Sequence, residues 1–215
     1  MTIVAPSLLA ADFSNLSEHF IWLNTSKAEW IHLDIMDGHF VPNLSFGIPI
    51  IQSCRKLTNK IFDVHLMLSN PDKYFDSFIA AGANNISFHI EAVQHPLEQI
   101  NYLKSKQITV GLAINPDTPI NIIFPYLKNI DFVCLMSVYP GFGGQKFIEN
   151  SILKMEQLNT EIKHQNLHTK IEVDGGVTEQ NAPEIVKAGA NILVAGNTIF
   201  NAPDPVKVIE NLYFI

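Results

Sequence analysis

Short, continuous apolar runs recur along this chain, separated by longer stretches in which apolar positions return every three or four residues. The short runs lie at 3–7, 30–34, 61–67, 85–89, 109–114, 132–136, 170–173 and 192–195. Their length and their content of Ile, Val and Phe predict buried strands. Helical periodicity fills 16–25, 73–81, 97–106, 148–164, 181–188 and 206–212, with weaker signals at 47–56 and 120–127, the second interrupted by Pro125. Ala81-Gly82-Ala83-Asn84 and Ala188-Gly189-Ala190-Asn191 close two helices just before a strand, and each glycine suits a left-handed C-cap. No Ser/Gly/Pro-rich linker divides the series. Eight unbroken strand–helix units predict a single-domain (β/α)8 TIM barrel over residues 1–215, near the small end of that fold's usual range of about 200 to over 400 residues. An open doubly wound sheet would need fewer strands.

Side chains alternate faces along a strand, so His32, Asp34 and Met36 share one side of the second run. The third run places His65 and Met67 in the same relation, and the seventh ends at Asp174. In a barrel of this kind catalytic groups gather at the C-terminal strand ends, which is where these residues fall. Taken singly, each histidine or aspartate reads as an ordinary strand-end residue or cap. Converging, uncompensated carboxylates would repel and lose solvation. A divalent ion of the zinc or iron type, held by His32, Asp34, His65 and Asp174, relieves that cost. A metal beside two carboxylates suits proton abstraction next to a carbonyl, with one carboxylate taking the proton and the other returning it. Met36, Met67 and Met136 read singly as core, and together as a soft, dry lining for a planar intermediate. Ser7, at the first strand's end, would cap the next segment or touch substrate. Asp37 and Gly38 read as turn residues without chemistry. His89 points inward with no partner evident in the sequence, and His19, His39, His95, His164 and His168 read as loop or surface residues.

Charge narrows the partners. Fourteen Lys and Arg against 21 Asp and Glu leave a net charge of −7, with no basic run, which argues against nucleic-acid or anionic-membrane binding. No apolar run approaches the roughly 18 residues of a membrane span, and the N-terminus lacks a secretory pattern, so a cytoplasmic location is expected. Cys54 and Cys134 show no metal-like spacing. A phosphorylated substrate would need local backbone donors. Three glycine-bearing loops offer them: Gly141-Phe142-Gly143-Gly144 after the sixth strand, Gly175-Gly176 after the seventh, and Gly196-Asn197 after the eighth. The loops after strands seven and eight are the usual phosphate site of such barrels. No P-loop pattern is present.

The motifs together resemble the ribulose-phosphate 3-epimerase family from one end of the chain to the other. The segments concerned are Ala5-Pro-Ser-Leu-Leu-Ala-Ala-Asp-Phe13, His32-Leu-Asp-Ile-Met-Asp-Gly-His-Phe-Val-Pro-Asn43, Asp63-Val-His-Leu-Met67, Pro140-Gly-Phe-Gly-Gly-Gln145 and Glu172-Val-Asp-Gly-Gly176. The resemblance implies interconversion of D-ribulose 5-phosphate and D-xylulose 5-phosphate. It implies one divalent ion (Zn, Fe, Mn or Co) on His32, Asp34, His65 and Asp174, with Asp34 and Asp174 as the acid/base pair. Ser7 and His65 would touch substrate, and the phosphate would meet Gly141 to Gly144, Gly176, Gly196 and Asn197. A homo-oligomer, dimer or hexamer, is also implied. Asn197 stands where Ser is common and Tyr139 where a smaller or polar residue is usual, either of which would alter phosphate affinity. An allulose-6-phosphate 3-epimerase and a metal-dependent aldolase or decarboxylase are the alternative readings.

Overall fold

A computed structural model describes all 215 residues. Eight strands, β1 (Ile3–Pro6), β2 (Trp30–Met36), β3 (Ile61–Met67), β4 (Asn85–His89), β5 (Thr109–Ile114), β6 (Phe132–Met136), β7 (Lys170–Asp174) and β8 (Ile192–Ala195), form one parallel sheet. Its order, β1-β8-β7-β6-β5-β4-β3-β2, brings first and last strands back together. Closure there rests on a single parallel bridge between Ser7 and His32. The expected eight-stranded barrel is therefore present.

Helices α1 (Leu16–Thr25), α2 (Ile48–Arg55), α3 (Phe75–Ala81), α4 (Pro96–Ser105), α5 (Asn150–His164), α6 (Ala182–Ala188), α7 (Asn197–Phe200) and α8 (Pro205–Tyr213) wrap the outside. Gly82 ends α3 in the left-handed region, at φ 107°, which explains the Ala-Gly-Ala-Asn signature before β4. One expected helix is absent. Residues 120–127 form two short 3-10 turns, Ile120–Ile122 and Phe124–Asn129. Pro125 has no N–H to donate to residue 121 and its ring would strike that carbonyl, so the α-helix cannot run through it. β2 extends two residues beyond the expected end because Ile35 and Met36 find partners in Leu66 and Met67. β7 likewise reaches Asp174 through its pairing with Met136 and Val194.

Two cores result. The larger lies between sheet and helices, and the smaller fills the lumen with Ala5, Trp30, Ala113, Phe132, Cys134, Ile192 and Val194. Trp30 and Phe132 meet edge to face, their ring centroids 5.7 Å apart. Gly111 is required there: a Cβ would stand 2.4 Å from the Phe132 ring. Overpacking of this kind costs about 1–3 kcal/mol, and in a chain of this size each kcal/mol is about 2–4 °C. Gly111→Ala should accordingly melt several degrees lower in a thermal scan. An unchanged melting curve would show that the lumen has slack at this level.

Candidate active site

The register of β2 on β3 builds the site. It sets His32 beside Asp63, Asp34 beside His65 and Met36 beside Met67, all on the lumenal face. β7 adds Glu172 and Asp174 on the same face. Asp34 Oδ1 lies 3.3 Å from both His32 Nε2 and His65 Nδ1, and Asp174 Oδ2 lies 3.7 and 3.5 Å from the same two nitrogens. One donor atom from each of the four residues falls within 4.8 Å of all the others. The structure thus brings together the four residues singled out as ligands.

Two of the four are oriented from behind. His32 Nδ1 sits 2.7 Å from Asp63 Oδ2, so it carries the proton and donates, leaving a lone pair on Nε2. That Nε2 is fully buried and has no hydrogen-bond partner. Ser7 Oγ donates to Asp34 Oδ2 at 2.6 Å. An orphaned imidazole nitrogen among two carboxylates and a second imidazole is a donor set that a divalent ion of the zinc or iron type would satisfy.

The electrostatics agree. Burial disfavours the charged form of Asp34, yet the charge of His32 and the nearby His65 hold its carboxyl well below the usual range. Burial and the neighbouring charge of Asp34 both work against ionised Asp174, but the two imidazoles still hold it low. Burial would likewise lower the pKa of His32 and His65, and the carboxylates overcome this and raise both. Imidazoles and carboxylates in this cluster therefore favour each other's charged forms.

The cluster opens onto a cavity of about 470 Å³. Ser7, Asp34 and Asp174 line its floor, with Met36 and Met67 from β2 and β3 and Met136 from β6 across the barrel, and the loop residues Gly141–Gly144, Gly175, Gly176, Gly196 and Asn197 complete it. His32 and His65 lie beneath, fully buried. The backbone N–H groups of Gly141, Gly143, Gly144, Gly175, Gly176 and Gly196 donate no hydrogen bond inside the chain. Gly176, at φ 65°, lies so close to the Phe147 backbone that a Cβ would sit 2.5 Å from its nitrogen. A cradle of free donors results, as an anion requires. Asn197 presses its side-chain nitrogen against Gly144, whereas Tyr139 turns away and donates to Asp117 at 3.0 Å.

Asp37 makes no contact with the cluster. Its carboxylate accepts from the backbone N–H groups of His39, Phe40 and Ser69, each at 2.8 Å, tying the β2 loop to the β3 loop. His39, His95, His164 and His168 are exposed and His19 is half-buried, away from the cavity. His89, partnerless in the sequence, has two partners: His65 Nε2 at 2.9 Å and Glu91 Oε2 at 3.2 Å. Burial pushes His89 down to about 4. Glu91 falls to about 2, because hydrogen bonds from His89, Thr118 and Asn115 outweigh its own burial.

Asp63, Glu172 and Glu91 were not singled out in the sequence. The alternation that groups His65 with Met67 reaches Asp63 one step earlier, and the same step from Asp174 reaches Glu172. Glu172 is fully buried, and burial together with the charge of Asp63 pushes its carboxyl well above the ordinary value. For Glu91, on the turn after β4, no such signal existed.

Comparison with known proteins converges on one group. A model described as the ribulose-phosphate 3 epimerase family matches residues 3–200. A ribulose-phosphate 3-epimerase of Eremothecium gossypii is 40% identical, the match spanning 97% of this chain and 90% of that protein. One from Synechocystis sp. is 43% identical over 98% and 92% of the two chains. The crystal structure of a 3-hexulose-6-phosphate synthase superposes with a TM-score of 0.71 at 18% identity, covering 99% and 98%, a likeness of fold.

The raised histidine pKa values carry a measurable consequence. Below those values the metal-free site holds protons on His32 and His65 that an incoming ion must displace. Zinc affinity should therefore tighten as pH rises through them, by at most about tenfold per pH unit for each proton released. Calorimetric titration in buffers of different ionisation enthalpy would count the protons. An affinity flat with pH would contradict this arrangement of charges.

Proposed function

Since this chain belongs to the ribulose-phosphate 3-epimerase family, whose members are sugar-phosphate isomerases, we propose that it interconverts D-ribulose 5-phosphate and D-xylulose 5-phosphate by passing a proton between C3 and two carboxylates, Asp34 and Asp174. The observation that carries this reading is that these carboxylates, from the non-adjacent strands β2 and β7, converge on the same two imidazoles at the cavity floor. One carboxylate takes the C3 proton, and the electron pair left behind spreads to the C2 carbonyl as an enediolate. The other carboxylate, already protonated, gives its proton to the opposite face of C3, and configuration inverts. The roles exchange in the reverse direction.

The remaining residues follow from their places. His32, Asp34, His65 and Asp174 would hold one divalent ion, zinc or iron by donor type and manganese or cobalt by family. When bound, such an ion would supply Lewis acidity that stabilises negative charge developing on the substrate. Ser7 holds Asp34 by its hydroxyl and, at the cavity floor, reaches substrate. Met36, Met67 and Met136 pack against the flat intermediate and keep water from it. The free N–H groups of Gly141–Gly144, Gly175, Gly176 and Gly196, with Asn197, receive the phosphate. We read residues 1–215 as one catalytic domain acting in the cytoplasm as a homo-oligomer. No helix is long and apolar enough to cross a membrane.

Two measurements test the reading. In heavy water, turnover should place deuterium at C3 of an otherwise unchanged pentulose phosphate. Release of a smaller fragment would instead indicate carbon–carbon cleavage, and a higher kcat/KM on allulose 6-phosphate would reassign the substrate. Asp174→Asn should lower kcat by about 10²–10⁴-fold, the usual worth of a general acid–base group. Near-normal turnover of that variant with full metal occupancy would refute the two-carboxylate mechanism.

A further inference from the structure

Resting on the metal reading above, we infer that His89 and Glu91 are positioning residues that fix the ring protons of His65, so that its Nδ1 faces the ion as a lone pair. The geometry leaves little choice. His65 Nε2 and His89 Nε2 stand 2.9 Å apart, and two ring nitrogens at that distance must share one proton. If His65 is to offer Nδ1 to the cluster, its proton belongs on Nε2 and is donated to the His89 lone pair. His89 then carries its own proton on Nδ1, where Glu91 Oε2 receives it at 3.2 Å.

Glu91 is itself held. Its other oxygen accepts from the Asn115 N–H at 2.8 Å and from Thr118 Oγ1 at 2.6 Å. The loop bearing those donors is pinned by the buried Lys154 ammonium, which donates to the carbonyls of Asn115, Pro116 and Thr118 at 2.8–2.9 Å. His89 is fully buried and packed on Phe40, ring centroids 4.7 Å apart. Neither His89 nor Glu91 lines the cavity, so their influence reaches the substrate only through His65. The arrangement parallels His32, whose second nitrogen is held by Asp63. Here the supporting carboxylate acts through an intervening imidazole.

The test compares zinc affinity, by chelator competition, and the visible absorption of the cobalt-loaded protein across the parent, H89F, H89Q and E91Q. Loss of such supporting partners typically costs about 10- to 100-fold in metal affinity. His89→Phe removes the acceptor, and Glu91→Gln removes the charge while keeping the shape. Both should weaken zinc binding by about that factor and shift the cobalt bands. His89→Gln, whose amide oxygen can accept from His65 Nε2, should recover most of the loss. For Glu91→Gln at saturating metal, substrate KM should move less than metal affinity. Should H89F fail to fold by circular dichroism, E91Q decides alone. A parent protein that binds no divalent ion would sink the metal reading and this inference with it. A parent that binds zinc, with E91Q and folded H89F matching its affinity and cobalt spectrum, would overturn the relay alone.

Discussion

Four carboxyl groups, Asp34, Asp63, Glu172 and Asp174, enter the lumen of one small barrel, and the cost of keeping like charges together away from water governs what surrounds them. An ionised group taken out of water costs several kcal/mol even after relaxation, whereas a hydrogen bond to a charged group returns only about 1.5–3 kcal/mol. Hydrogen bonds alone therefore fall short, and each carboxyl is accommodated differently. Asp63 accepts a hydrogen bond from His32 Nδ1. Asp34 has the Ser7 hydroxyl and two imidazoles, and Asp174 the same two imidazoles. Glu172, fully buried beside Asp63, is driven toward its neutral form. Asp34 and Asp174, at the cavity floor, are the two whose charged forms the imidazoles favour.

Much of this was legible in the chain. Eight apolar runs became eight strands, and the two-residue spacing of His32 with Asp34 placed both on the lumenal face, because alternation along a strand is geometric and tolerates little tertiary override. The helix expected at 120–127 was not realised, since Pro125 outweighs the periodicity around it. Partners across strands were harder to read. The pairing of His89 with His65 depends on the stagger between β3 and β4, and that of His89 with Glu91 on a turn, neither of which has a periodic signature. Asp63 and Glu172 were legible in principle, but a buried carboxyl acquires a role only once its neighbours are known.

The glycine loops show a second economy. With a net charge of −7, the protein offers a phosphate no general attraction, and the cavity's loops instead present N–H groups that nothing in the chain uses. Gly141, Gly144, Gly175 and Gly176 hold positive φ angles, a conformation that residues with side chains rarely adopt. Side chains could not replace them. At Gly175 a Cβ would strike Val138, and at Gly176 the backbone of Phe147.

The single bridge between Ser7 and His32 that closes the barrel acquires significance beyond topology. Every other junction is a ladder of at least three paired residues, while this seam is one bridge reinforced by the Ser7–Asp34 hydrogen bond. The seam and the ligand cluster share His32 and Asp34. An ion shared by those side chains and Asp174 would link β2 to β7 across that seam, and by mass action it would favour the closed barrel over any form in which the strands part. Amide exchange along β1 would then report site occupancy at a distance from the substrate. The junction with the fewest paired residues and the His/Asp cluster would thus be held closed together.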